Sequence, residues 1–287
     1  MNEKIPATEQ SEKQPQPVPA YCAQEHTHNL QEFLGREDVE DLVQKNNLAR
    51  PYWDAMANNT LAYQDMTYSA QTRALASHAR NPSRLIFHGR FFTGQPAEKQ
   101  LVVLAEELIH VDAEQSGQLE FVYQAREQAK VLSIEKDLSE SIDGLLAEPI
   151  EVAVKSRLLQ ILPEAQTRIL EERFNIDMRN LDQFRQKQPR PNQQTRADII
   201  LVDMLALSFE HQRLASALEQ AGQKELANKH VASLNTIRDF RKHFTTRAVQ
   251  AHPQAGELEK TIEAIEQSKN VPEYIQACQK LISFLKK

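Results

Sequence analysis

Glycine is scarce in this chain: 7 residues in 287, too few to supply the left-handed turns that a protein built of many hairpins needs. Gln, Glu, Ala, Leu, Lys and Arg fill most other positions, and these residues lose least on entering a helix. No run of useful length alternates Val, Ile, Thr and aromatic residues between Gly and Asn pairs. The expected class is therefore all-α, as stacked antiparallel helices. With 40% hydrophobic residues, a chain of this length buries a sizeable core as one large helical domain or two smaller ones.

Breaks in the helical periodicity divide the chain. Residues 1–28 hold Pro6, Pro15, Pro17 and Pro19 among Gln, Glu and Lys with no apolar stretch, the composition of a disordered tail and not of a secretory signal. An N-terminal helical domain is expected over 29–175. In it Leu30, Phe33, Leu34, Val39, Leu42 and Val43 recur at helical spacing, and Pro51 opens a long helix over about 51–79. Pro82, Gly89, Gly94 and Pro96 then mark a structured connection. Leu101, Leu104, Leu108 and Val111 form one stripe, and beyond Gly117 a second runs through Leu119, Val122, Ala125, Ala129 and Leu132. Pro149 and Pro163 punctuate the next segment, which predicts shorter helices over 152–161 and 165–174. Residues 176–195, rich in Gln, Arg, Asn and Pro, read as an exposed loop or linker. A C-terminal domain over 196–287 follows, with helices near 196–220, 224–249, 256–267 and 271–286.

In that last part Leu214, Ala215 and Leu218 precede Gly222, Ala227 and Val231. Small residues let two helices approach closely, the glycine makes the turn, and the later apolar positions close a hairpin core. The spacing resembles a tetratricopeptide repeat over about one repeat, 211–239, with His211 where that pattern prefers Trp and Asp239 where it has its closing Pro. Leu258, Ile262 and Ile265 with Tyr274, Cys278 and Leu281 offer a second hairpin to stack on the first. The resemblance implies a surface that binds another protein; an ordinary antiparallel pair in a bundle has the same pattern. Near the end, Glu257, Glu259, Glu263, Glu266 and Glu273 precede Phe284 and Leu285. That order resembles the acidic-then-hydrophobic translocation signal of type IVB-secreted bacterial effectors such as those of Legionella. It implies delivery into a host cell, where the chain captures a host protein or restrains another effector. An amphipathic last helix with its glutamates in water looks the same.

The chemistry-bearing residues are few. A formal net charge of -6 argues against general nucleic-acid binding. Cys22 and Cys278 lie too far apart for a disulfide-stapled secreted domain, so a reducing, cytoplasmic compartment is expected; no run of eighteen apolar residues predicts a membrane span. Arg80, Arg84, His88 and Arg90 interleave with Phe87, Phe91 and Phe92. Stacking and ion pairing make that segment a candidate partner surface, unless the phenylalanines fill core and the arginines are solvated. The hairpin residues His211, Leu214, Leu218 and His230 are the second candidate surface. Arg238, Arg241, Lys242, His243 and Arg247 read as an exposed basic helix face.

Glu107, His110 and Glu114 share a helical face in the Glu-x-x-His arrangement of ferritin-like di-iron bundles. A complete site needs a second copy, and Ser208 and Ala227 stand where His211 and His230 would need a glutamate. Cys22, His26 and His28 are a dense set of potential ligands with no second anchored pair. Gly89 and Gly94 have the outer spacing of a phosphate loop, but Gln95 and Pro96 replace its Lys and Ser or Thr. The leading expectation is a non-enzymatic protein-binding or regulatory chain with a bacterial or host protein as partner and no cofactor. The alternative is a helical di-metal enzyme centred on Glu107 and His110.

Overall fold

The computed structural model describes residues 32–48, 61–63, 75–80, 83–88, 91–92, 94–117, 119–132, 134–186 and 194–285. The tail ligands Cys22, His26 and His28 lie outside them. The chain forms two compact units, the first ending at Gln95 and the second beginning at Pro96.

In the first unit, helix α1 (Glu37–Lys45) buries Val39, Leu42 and Val43, one stripe at helical spacing. Three short strands follow, β1 (Leu61–Tyr63), β2 (Ala76–Arg80) and β3 (Ser83–His88), in the order β1-β3-β2. The central strand β3 runs parallel to β1, with Leu61 opposite Ile86, and antiparallel to β2, with Arg80 opposite Ser83. This corrects the long helix expected over 51–79. Leu85 and Phe87 are both buried, so 83–88 carries a period of two, and its unpaired backbone groups recruit the flanking segments as partners. Phe87 and Phe91 have no exposed surface, Phe33 is 3% exposed, and their ring centroids lie 4.7–6.3 Å apart. Phe87 and Phe91 of the first candidate surface are thus core.

The second unit is helical throughout its described residues, and the described residues together are all-α with that small sheet as the exception. Its helices are α2 (Ala97–Ser116), α3 (Glu120–Lys130), α4 (Lys136–Ile161), α5 (Pro163–Gln186), α6 (Gln194–Gln220), α7 (Lys224–Ala251), α8 (Ala255–Gln267) and α9 (Val271–Leu285). Helix α2 ends as its sequence dictates, with Gly117 in the left-handed region at φ 67°. Helix α4 is the hub, packing against α2, α3, α5, α6 and α9. Because partners surround it, Leu138, Ile142, Leu145, Leu146, Ile150, Val152, Val154, Leu158 and Leu159 are all buried, an apolar surface wider than one stripe.

The helix expected to begin after Pro149 is instead the second half of this 26-residue helix. A proline inside a helix has no N–H for the carbonyl four residues earlier, here that of Leu145. The hydroxyl of Tyr274 on α9 donates to that oxygen at 2.9 Å, and Tyr274 is completely buried. The group orphaned by Pro149 is therefore satisfied from another helix. Helix α5 likewise runs through the linker expected over 176–195 as far as Gln186, burying Leu181 against Ile200, Met204, Ile237 and Phe240. The break between units lies at Gln95 and Pro96, and 96–287 is one unit.

Helices α6 and α7 form the expected hairpin, turning at Gly222 with φ 79°. Leu214, Leu218, Leu226 and Ala227 meet Leu159 and Leu170 in one cluster. Val231, by contrast, is 53% exposed. With 27 and 28 residues, the two helices exceed what a repeat of roughly 34 residues holds. Arg241, expected on an exposed basic face, is buried and held by Glu266 through two bonds of 2.9 Å. The acidic residues near the end also have folded partners: Glu257 pairs with Lys280 at 3.2 Å and Glu273 accepts the Lys269 N–H at 2.9 Å. Phe284 is buried. No helix of the described residues is long and apolar enough to cross a membrane.

Tyr274→Phe leaves the Leu145 carbonyl buried without a donor and is expected to cost about 1–3 kcal/mol in a urea titration. Pro149→Ala restores the missing N–H, so in the Tyr274→Phe background it is expected to recover most of that loss. An equal cost of Tyr274→Phe with and without Pro149 contradicts the assignment.

Candidate functional site

Helix α2 is apolar along Val102, Leu104, Ala105, Leu108 and Val111, but Glu106, Glu107 and His110 interrupt that run on the stretch packed near α4 and α5. Glu106 and His110 are four residues apart, one helical turn, and so stack on one face. Across from them Glu151 projects from α4. One carboxylate oxygen of Glu106, a ring nitrogen of His110 and one carboxylate oxygen of Glu151 all lie within 4.8 Å of one another, with His110 Nε2 4.0 Å from Glu151 Oε1. The His110 side chain is 16% exposed and that of Glu151 37%, so the group sits at the mouth of the bundle, within reach of solvent.

Further acids crowd the same place. Glu107 is 8% exposed, and burial, with the charges of Glu106 and Glu151, pushes its carboxyl up to about 8. Burial and Glu151 raise Glu106 as well. Glu148, one turn before Glu151 on α4, is raised to about 8 by burial and by Glu210, and its Oε2 is buried with no hydrogen-bond partner. The nearby cations are engaged elsewhere. Lys155 Nζ bonds Glu210 Oε1 at 2.6 Å with both side chains buried, and Arg173 reaches Glu210 Oε2 at 3.6 Å. Arg126 grips Asp143 through two bonds of 2.9 and 2.7 Å. Burial, with the positive charges of Arg126 and Lys155, lowers the pKa of His110 against the pull of Glu151, which favours the neutral imidazole that binds a metal.

Deeper in the bundle, His211 on α6 and His230 on α7 lie with ring centroids 4.6 Å apart, and Phe174 of α5 lies 5.6 and 5.0 Å from them. Ser233 Oγ is 2.6 Å from His211 Nδ1 and donates to the His230 carbonyl at 2.8 Å. Neither ring nitrogen of His230 has a hydrogen-bond partner. Burial lowers His211 to about 4, and burial with the neighbouring His211 lowers His230 to about 3.

Comparison with family models, with curated proteins and with solved structures finds no match. The geometry of the site therefore stands on its own residues. Of the residues expected to form a metal face, His110 is a member of the converging group, Glu107 flanks it, and Glu114 is outside it. Glu106 and Glu151 take the remaining places. The i,i+4 spacing of Glu106 and His110 was open to the eye; Glu151, 41 positions beyond His110 on another helix, carries no local signal. Of the expected partner-binding residues, Phe87, Phe91, His211, Leu214, Leu218 and His230 are buried. They cannot meet a partner without opening the core, because their apolar and aromatic surface is what the folded units bury. Phe92 is half-buried against Phe91 at 5.0 Å. The side chains of Arg84 and His88, and the whole of Arg90, lie outside the described residues.

The neutral histidine pair makes an acid-stability prediction. A histidine whose pKa is lowered by folding binds its proton more readily in the unfolded chain, so its contribution is complete above about pH 6.5 and is lost as pH falls toward the folded value, by about 1.4 kcal/mol per pH unit. His230→Phe keeps an aromatic ring in a place where no hydrogen bond is lost. Urea midpoints measured from pH 7 to pH 4.5 are expected to fall less steeply in the variant; parallel curves contradict the assignment.

Proposed function

We propose that this protein is a metal-dependent hydrolase whose cation is held by Glu106, His110 and Glu151. The observation that carries this reading is the convergence of three ligand-type atoms, from two packed helices, within 4.8 Å at a solvent-accessible mouth. Two donors one turn apart with a glutamate directly after the first reproduce the spacing of the H-E-x-x-H helix, in which two histidines bind zinc and the glutamate is the general base. Glu106 stands where that pattern has its first histidine, Glu107 where it has its base, and Glu151 supplies a third ligand from a second helix. A divalent cation held by these three residues would supply Lewis-acid activation of a water for hydrolysis. Glu107, the residue after Glu106 and buried, would be the general base, a role that requires its carboxyl, raised to about 8, to be in its ionised form. The reading replaces a di-metal centre on Glu107, His110 and Glu114 with a single centre of different ligands.

The test is equilibrium dialysis of metal-stripped protein against Mn²⁺ or Zn²⁺, with bound metal counted by mass spectrometry. About one ion per chain is expected. Glu151→Gln and His110→Ala are expected to weaken binding about tenfold or more, and Glu114→Gln to leave it nearly unchanged. A chain that takes up no metal, or equal losses for Glu114→Gln and Glu151→Gln, overturns the reading.

A second reading, capture of a bacterial or host protein by a regulatory, tetratricopeptide-like or secreted chain, draws support from a groove between α4 and α6. It has a volume of about 640 Å³ and is lined by Val152, Leu159, Arg213, Ser216, Ala217 and Gln220. Such a groove accepts a peptide or helix. Affinity capture from bacterial and host lysates is expected under this reading to return a stoichiometric partner that Ser216→Trp, which fills the groove, releases. A partner retained equally by both forms removes the groove from consideration.

A further inference from the structure

The metal reading leaves open which cation the site takes, and the donor set bears on that directly. Two of its three donors are carboxylates and one is an imidazole. Carboxylate oxygens suit hard cations such as Mn²⁺, Mg²⁺ and Ca²⁺, whereas imidazole nitrogen and thiolate sulfur suit Zn²⁺ and its softer neighbours. The catalytic zinc sets His₃, His₂Glu and Cys₂His each contain at least two nitrogen or sulfur donors; this group has one. The cysteine among the described residues, Cys278, is buried in α9 and is not part of the group.

The surroundings reinforce the same preference. Glu107 is almost completely buried next to Glu106, and Glu148 places an oxygen with no hydrogen-bond partner in the interior one turn before Glu151. Of the cations whose charge reaches the group, Lys155 and Arg173 are paired with Glu210 and Arg126 with Asp143. What remains around the three donors is rich in carboxyl oxygen, the donor type that suits a hard divalent ion. Within it, position 106 is the variable that separates this group from a zinc site: a histidine there completes a His₂Glu set on an otherwise unchanged frame, because residues 106 and 110 share one face of α2.

We propose that Glu106 is the residue that sets metal preference, making the site select a hard divalent cation of the Mn²⁺ type over Zn²⁺ relative to a His₂Glu frame. This rests on the reading of Glu106, His110 and Glu151 as ligands. Zn²⁺ outranks Mn²⁺ at nearly any site of nitrogen and oxygen donors, so the informative quantity is the ratio of the two affinities and its change at position 106.

The experiment uses the full chain, stripped of metal. Mn²⁺ affinity is read from the paramagnetic resonance signal of free Mn²⁺, and Zn²⁺ affinity from competition with a chromophoric chelator. Glu106→His is expected to raise the Zn²⁺ to Mn²⁺ affinity ratio about tenfold or more. Glu106→Asp keeps an oxygen donor, and is expected to weaken both ions while leaving the ratio within about threefold. If Glu106→His fails to fold, as judged by circular dichroism, Glu106→Gln serves in its place, with Mn²⁺ affinity expected to fall more than that of Zn²⁺. Stoichiometric binding with an unchanged ratio in the folded variant overturns the role of Glu106 and leaves the metal site standing. Failure of the native chain to bind either ion overturns both.

Discussion

The carbonyl oxygen of Leu145 has lost its helical donor to Pro149, and a tyrosine hydroxyl from the last helix replaces it at 2.9 Å. The consequence reaches well beyond one hydrogen bond. An unbroken α4 keeps Glu148, Glu151 and Lys155 in one helical register, at offsets of three and seven, so that all three lie along one side. A helix ended at Pro149 would place Glu148 on one segment and Glu151 and Lys155 on another, with no fixed relation to α2. Because α4 also packs against α2, α3, α5, α6 and α9, the same bond ties the C-terminal helix to the element on which the second unit is assembled. Tyr274 thus supports the helix that carries Glu151 without itself belonging to the candidate site.

Charge is distributed around α4 with the same economy. Lys155 and Glu210, both nearly inaccessible, form a buried ion pair that Arg173 extends. Such pairs gain little net stability over apolar packing, but losing one partner leaves a buried charge behind. Burial raises Glu210 while Lys155 and Arg173 lower it, and the lowering prevails. Lys155 and Arg173 also pull Glu106 and Glu148 down, but there burial and the neighbouring acids prevail, and those two and Glu107 are all raised. Two neighbouring groups of acids in one bundle therefore differ in kind: Glu210 is held ionised by the protein's own cations, whereas the acids near Glu151 are shifted toward their protonated forms, and the proposed metal ion would take the place of those protons.

How much of this was legible beforehand follows from where each signal resides. Helices α2, α3 and α6 to α9 follow from local stripes ended by Gly117 and Gly222, because amphipathic period and left-handed turns are encoded within a few residues. The continuity of α4 is not local: the fate of Pro149 is decided by a hydroxyl 129 residues from Leu145. The strands were hidden for a similar reason, since a three-residue segment such as β1 is a strand only because β3 pairs with it. The site divides along the same line. Glu107 and His110 are visible in one turn of sequence, and Glu106 with them once the i,i+4 face is considered, but Glu151 joins only through the packing of α2 on α4. Hydrophobic and aromatic residues of the expected docking surfaces, His211 and Phe91 among them, are the ones most strongly drawn into the core.

The most direct measurement is the location of the ion itself. Crystals grown with Mn²⁺ and measured above and below its absorption edge are expected to show one strong anomalous peak per chain, at about 2.0–2.3 Å from a carboxylate oxygen of Glu106, a ring nitrogen of His110 and a carboxylate oxygen of Glu151. A peak elsewhere in the bundle, or well-ordered density for these three side chains with no peak between them at saturating Mn²⁺, contradicts the account.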